Sequence, residues 1–152
     1  SSAGLQALPT QWSFAEDSAA KHGHTVDRKD WRIVVSWHIA ESREEARAQA
    51  KDGLFRWHNE YNVGTLMRPG VEAFKNPDEA VDQTSFADGA TSVIGTPDDL
   101  VARLRDLYTL TGGFGTVIGH IDLSMLKGTH SSRIHINIWI QFLDGHGQPA
   151  AF

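Results

Sequence analysis

Residues Ser92 to Asp122 read SVIGTPDDLVARLRDLYTLTGGFGTVIGHID, and their order of signals decides the fold class. Thr96 is a helix N-cap, and Pro97 takes the first helical position, where a missing N–H costs nothing. Asp98 and Asp99 place negative charge in the first turn, where unpaired N–H groups and the helix dipole favour it. Leu100, Val101, Leu104, Leu107 and Tyr108 recur at helical spacing and predict one apolar face, with Arg103, Arg105 and Asp106 off it. Thr109 to Gly113 supplies the break. Thr116-Val117-Ile118-Gly119-His120-Ile121 follows as a short apolar run rich in β-branched residues, the pattern of a buried parallel strand. A capped helix feeding such a strand is one unit of an α/β protein.

Upstream, Trp31 to Ala40 (WRIVVSWHIA) is the strongest strand in the sequence. Alternation separates Ile33, Val35, Trp37 and Ile39 from Arg32, Val34, Ser36 and His38. The first set is expected to face a helix layer and the more polar set the other side of the sheet, which in the barrel implied by the family resemblance described below is the interior. Ser42 and Glu45 have capping-box spacing and open a helix to about Tyr61, with Ala46, Ala50, Gly53 or Leu54, and Trp57 on its inner side. Leu5, Leu8, Trp12, Ala15, Ala19 and Ala20 predict an earlier amphipathic helix that Gly23 ends. Residues 62–91 read as an insertion: Pro69-Gly70 turns the chain, Asn76-Pro77-Asp78-Glu79 starts a short helix, and Asp88-Gly89 closes it. A surface loop is one reading of it, and the family resemblance described below implies the other, an excursion near a substrate opening. After the second strand, Arg133 to Phe142 alternates with period two, which is a strand pattern within an atypical tail at 131–152. An evolved replacement strand and a disturbed reading frame are both open as its origin, and as a strand it has an edge to pair.

Composition narrows the function classes. Fourteen Lys and Arg against nineteen Asp and Glu leave a net charge of −5 without a basic block, which argues against a general nucleic-acid binder. No run of about 18 apolar residues is present, so no spanning helix is expected. The sequence contains no cysteine, which removes disulfides, thiolate metal sites and a cysteine nucleophile. It opens on Ser1-Ser2-Ala3-Gly4, neither a signal peptide nor an initiator Met, and reads as a cut or processed, cytoplasmic protein. His22-Gly23-His24 has no third or fourth ligand at metal spacing near it, so no metal site is assigned. GGFG lacks the spacing of a dinucleotide or P-loop fingerprint.

Three stretches carry a family resemblance: Ile94-Gly95-Thr96-Pro97-Asp98-Asp99 with Gly112-Gly113-Phe114-Gly115, the phrase His38-Ile39-Ala40-Glu41-Ser42-Arg43-Glu44-Glu45-Ala46, and Val26-Asp27-Arg28 before the first strand. Together they resemble the C-terminal portion of bacterial-luciferase-like flavin-dependent monooxygenases, most closely the limonene-monooxygenase-like branch. The resemblance implies part of a (β/α)₈ barrel, incomplete in this chain: one partial domain over 1–152, with two clear parallel strands, helices and a possible extra C-terminal strand. It also implies reduced flavin mononucleotide (FMN) as cofactor, a small organic substrate that receives one oxygen atom, and either self-association or an N-terminal partner portion. The family's catalytic N-terminal strands have no counterpart here, so no catalytic residue carries over.

In such barrels chemistry gathers at the C-terminal strand ends, here Ser36-Trp37-His38 and Ile118-Gly119-His120. Ser36, Trp37, His38, Gly119 and His120 are therefore the candidate flavin contacts, and His38 and His120 the candidate catalytic groups. Inward placement of Thr116, Ile118 and His120 brings both imidazoles to the mouth. The plainer reading of each His is a satisfied polar residue at the rim. Three outcomes follow for the whole chain: part of a monooxygenase, a self-associating module without catalysis, or an inactive remnant.

Overall fold

The computed structural model describes residues 5–86, 90, 92–120 and 138–141. Its elements are α1 (Leu8–Lys21), β1 (Arg32–Ile39), α2 (Arg43–Arg56), α3 (Pro77–Val81), β2 (Ser92–Gly95), α4 (Pro97–Thr111), β3 (Thr116–His120) and β4 (Ile138–Gln141). The strands form one sheet in the order β2-β1-β3-β4. β1 pairs in parallel with β2 (Ser36 opposite Ser92) and with β3 (Arg32 opposite Thr116), and β4 runs antiparallel to β3.

Strand β2 is absent from the sequence reading, which recognised two parallel strands where the structure has three. Its four residues are too few to show a period, and all four, Ser92 included, are buried, so no exposed residue marks a face. The extra strand also changes the layering. The chain crosses from β1 to β2 in one direction and back over β1 to β3 in the other. Right-handed crossovers then put α2 and α4 on opposite faces of the sheet. The packing agrees: Val93 joins Ile33, Val35, Trp37, Val117, Leu104 and Leu107 in one core, and its neighbour Ile94 joins Ala46, Ala50, Leu54, Ala80 and Val81 in another. The expectation that Ile33, Val35 and Trp37 meet a helix layer holds. The polar face of β1 departs from expectation at its C-terminal end, where α2 lies over it. Farther down, Val34 is 42% exposed.

Local chemistry accounts for the helices. Ser42 accepts the Glu45 N–H at 3.1 Å and starts α2 as expected, but the return half of the capping box is not made and the Glu45 carboxylate accepts from Gln49. The helix widens into a π-helical stretch at Trp57–Thr65, which turns Trp57 outward to 41% exposure and removes it from the inner face assigned to it. Asn76 caps α3 by accepting the Glu79 N–H at 2.9 Å. Ala80 and Val81 of α3 are fully buried against α2, and Arg47 reaches Asp78 and Asp82 at 3.2 and 2.6 Å. The excursion after α2 is thus partly core. Asn59 clamps it further, bonding both the N–H and the carbonyl of Phe74 at 2.9 Å.

Helix α4 carries a complete capping box between Thr96 and Asp99 and ends on Gly112 in the left-handed region. Leu104, Leu107 and Thr111 form its buried stripe, whereas Val101, assigned to that stripe by spacing, is 44% exposed. The Val26-Asp27-Arg28 phrase has a mechanical role. Asp27 caps the short turn before β1, and the Arg28 guanidinium donates to the Thr111 carbonyl at the end of α4 while lying 5.2 Å from the Trp12 ring. One arginine thereby ties α1, the entry to β1 and the exit of α4 together. Of the tail, the structure describes Ile138–Gln141 as a strand on the β3 edge; the remainder of 131–152 and Asp88-Gly89 lie outside the described residues.

Candidate functional site

The C-terminal ends of β1 and β3 lie side by side. His120 sits at the register position opposite Ser36, and Ile118 opposite Val34. On the other side of β1, His38 is opposite Ile94. Registered residues of parallel neighbours share a face, so Val34, Ser36, His38, Thr116, Ile118 and the His120 position belong to one side of the sheet. The candidates Ser36, His38 and His120 are brought together there.

Trp37 and Gly119 are not. Trp37 is 7% exposed and belongs to the core under α1 and α4. Gly119 lies beneath its indole, and a Cβ at that position would strike the ring. Both residues fill the opposite side of the sheet, as alternation requires.

His38 is buried, and its Nε2 lies 2.8 Å from Gln49 Oε1 on α2. Gln49 Nε2 in turn donates to Glu45 Oε1 at 2.8 Å, one helical turn back. Neither Gln49 nor Glu45 is among the site candidates read from the sequence, where Glu45 enters only as a capping-box residue. Their i, i+4 spacing on a helix that begins five residues after His38 is the signal that was available.

Between β1 and β2 the connections leave for opposite faces, which creates the crevice where open α/β sheets commonly take ligands. Here that crevice is filled from within. Ala40 N–H donates to the Gly95 carbonyl at 3.0 Å. Asp99 accepts the Thr96 N–H at 2.9 Å, and Arg43 Nε approaches its two oxygens at 2.9 and 3.1 Å. The Arg43 guanidinium, with the Thr96 N–H and hydroxyl, holds the Asp99 carboxyl well below the usual carboxylate range. A depressed folded value means that Asp99 stabilises the fold above its ordinary value of 3.8 and loses that contribution as pH falls below it. Asp99→Asn removes the negative charge from the first turn of α4 and from Arg43, and is expected to cost about 1 kcal/mol. Urea melts should show this difference at neutral pH and its shrinkage below about pH 4. A difference constant between pH 7 and pH 3 would contradict the assignment.

At the other end of β1, Trp12, Glu16, Trp31 and Arg32 line an open cleft together with residues 25–30. Arg28 is already engaged there with Thr111, Trp12 and Glu16, so the cleft is the seam of a structural joint. His22 Nδ1 lies 2.8 Å from the Ser18 carbonyl oxygen on its own helix. Among the described residues no cluster of three or more metal-ligating side chains occurs, and no helix is long and apolar enough to cross a membrane.

No family model matches the chain. Individual proteins do. Over 112 residues it is 40% identical to limonene 1,2-monooxygenase of Rhodococcus erythropolis, a match that spans 74% of this chain and 28% of that protein. Over 114 residues it is 39% identical to 4-hydroxyprotoasukamycin monooxygenase of Streptomyces nodosus subsp. asukaensis, spanning 75% and 30%. The chain is a partial counterpart of the luciferase-like monooxygenases. It spans less than a third of the length of these relatives. The fold is similar to the oxygenating constituent of 3,6-diketocamphane monooxygenase from Pseudomonas putida, a type II Baeyer-Villiger monooxygenase solved in complex with FMN, with a TM-score of 0.51 and 22% identity over 73% of this chain and 32% of that one.

Similarity to a structure solved with FMN raises the question of fit to that cofactor, which can be read residue by residue. Val34 and Ile118 offer apolar surface and Ser36 a hydroxyl along one side of the sheet, with His38 buried beside them under α2. That suits one wall against a flat ring. The N-terminus of α4, where anions commonly bind, does not suit the phosphate: the Thr96 and Asp99 N–H groups are already bonded within the cap, and Asp98 and Asp99 put negative charge in the first turn. The described residues fit a wall of a flavin site and leave the phosphate to be held elsewhere.

Proposed function

We propose that this chain forms one wall of the active site of an FMN-dependent monooxygenase and works with the rest of such an enzyme. The observation that carries the reading is identity of 39 and 40% to two monooxygenases across three quarters of the chain. When bound, reduced FMN would supply the oxygen-transfer chemistry. The chain's own residues do simpler work. Val34 and Ile118 exclude water from one side of the ring, Ser36 offers a hydroxyl, and His38 and His120 hold or move a proton at the strand ends. The substrate is a small organic molecule, and the compartment the cytoplasm. The N-terminal remainder of the enzyme, or a second copy of the chain, supplies the other walls.

A graft tests this reading. The homologous segment of R. erythropolis limonene 1,2-monooxygenase is replaced by this chain, and FMN binding is followed by fluorescence. A folded hybrid that retains saturable FMN binding is expected; a folded hybrid that has lost it would overturn the assignment.

A second reading, a self-contained α/β module without catalysis, draws on strand β4. A closed barrel needs every strand paired on both edges. Here the outer edge of β3 is taken by β4, antiparallel over Thr116 to Gly119. A hybrid that binds FMN only after removal of 131–152 would favour this second reading for the chain as it stands.

A further inference from the structure

We propose that Gln49 and Glu45 are positioning residues that lock the His38 imidazole in a single tautomer, protonated at Nε2, so that its Nδ1 lone pair is offered to a ligand as a hydrogen-bond acceptor. The assignment follows from donor and acceptor inventories. An ionised glutamate only accepts hydrogen bonds. The Glu45 Oε1 to Gln49 contact of 2.8 Å therefore fixes the amide, with its NH₂ toward Glu45 and its oxygen toward the sheet. An amide oxygen also only accepts, so the 2.8 Å contact to His38 Nε2 requires the proton on that nitrogen. In the neutral ring Nδ1 then carries the lone pair. The three groups form a directed chain, carboxylate to amide to imidazole, in which polarity is set at the exposed end and delivered at the buried one.

The chain is geometrically economical. Glu45 and Gln49 are one helical turn apart on α2, and α2 is anchored by the Ser42 cap at its start and by Ala46, Ala50 and Leu54 packed to the sheet. His38 sits where α2 crosses the C-terminal end of β1, two residues beyond the position opposite His120. A ring held this way favours a ligand that brings an N–H or O–H to the site and disfavours one that brings only an acceptor. The part of this inference that concerns a ligand rests on the reading of this face as a flavin wall; the tautomer does not.

The test is long-range ¹H–¹⁵N NMR of the uniformly ¹⁵N-labelled 152-residue chain at about pH 8, where an ordinary imidazole is neutral. A His38→Gln variant identifies the ring signals. The expected pattern is a single Nε2–H tautomer, with one pyrrole-like and one pyridine-like nitrogen. Gln49→Leu should collapse it to the averaged shifts of a free imidazole, and Gln49→Glu, which keeps an acceptor, should retain it. Glu45→Ala changes an exposed helix residue and spares the core. It frees the amide to turn, and is expected to shift the ring toward the Nδ1–H form. A wild-type ring that is averaged or Nδ1-protonated, or a ring unmoved by both Gln49→Leu and Glu45→Ala, would overturn the proposal. Loss of FMN binding in the graft with the tautomer intact would instead overturn the flavin reading and leave the lock standing.

Discussion

Gly115→Ala is expected to destabilise the chain by about 3 kcal/mol or more, at the upper end of what overpacking costs. Gly115 lies where the exit of α4 meets the entry of β1. Its N–H and that of Thr116 both donate to the Trp31 carbonyl, at 3.1 and 3.2 Å. A methyl group on Gly115 would land on the backbone carbonyl of Lys29. A flexible side chain can swing aside, but a backbone carbonyl between Asp27, which caps the turn, and β1 moves only if the start of the central strand moves with it. For a chain of this size the loss corresponds to roughly 10 °C in melting temperature. Gly23 is the control. Its φ of +71° carries the usual strain for an alanine, but nothing lies within 4 Å of an added Cβ, so Gly23→Ala should cost only about 1–2 kcal/mol. Thermal melts followed by circular dichroism separate the two, and equal melting temperatures would contradict the close approach at Gly115.

Trp37→Ala is the second large effect, about 3–5 kcal/mol as for other buried aromatic truncations. The indole is 7% exposed, shares a core with Val35, Val93, Val117, Leu104 and Leu107, and covers Gly119. Its removal empties the middle of the layer between the sheet and α4. Trp37→Phe refills most of that volume and should recover more than half of the loss in a urea titration. A Trp37→Ala chain that melts within 1 kcal/mol of wild type, as a ring standing in a solvent-filled mouth would allow, would contradict the core placement.

These two residues also show how far the sequence can be read. The alternation Ile33, Val35, Trp37 already separates the helix-facing side of β1, and by that rule Trp37 belongs with the core and Ser36 and His38 with the other side. Grouping Ser36-Trp37-His38 as one candidate site set position along the strand above the pleat, and the pleat decided. The N-caps at Ser42, Asn76 and Thr96 were legible because each is a local hydrogen bond between residues three apart. Strand β2 was not, because Ser92–Gly95 owes its conformation to pairing with β1 and to burial on both faces, neither of which leaves a periodic trace. The same holds for the layering, since a crossover's direction depends on strand order and not on any residue. The His38–Gln49 contact joins a strand to a helix across a turn, and only the packing of Ala46, Ala50 and Leu54 sets the rotation of α2 that aims Gln49 at the ring.

The most direct measurement is a fluorescence titration of FMN with the purified 152-residue chain, with its solution mass determined in the same buffer. Among the described residues, the single wall offers the phosphate only a helix N-terminus whose cap already holds the Asp99 carboxylate and its partner Arg43. No saturation is therefore expected for a monomer up to on the order of 100 μM, a binding free energy weaker than about −5.5 kcal/mol, while the graft into limonene 1,2-monooxygenase binds. One-to-one saturation at low micromolar FMN by the monomeric chain would contradict the single-wall description and show that these residues build a flavin site unaided.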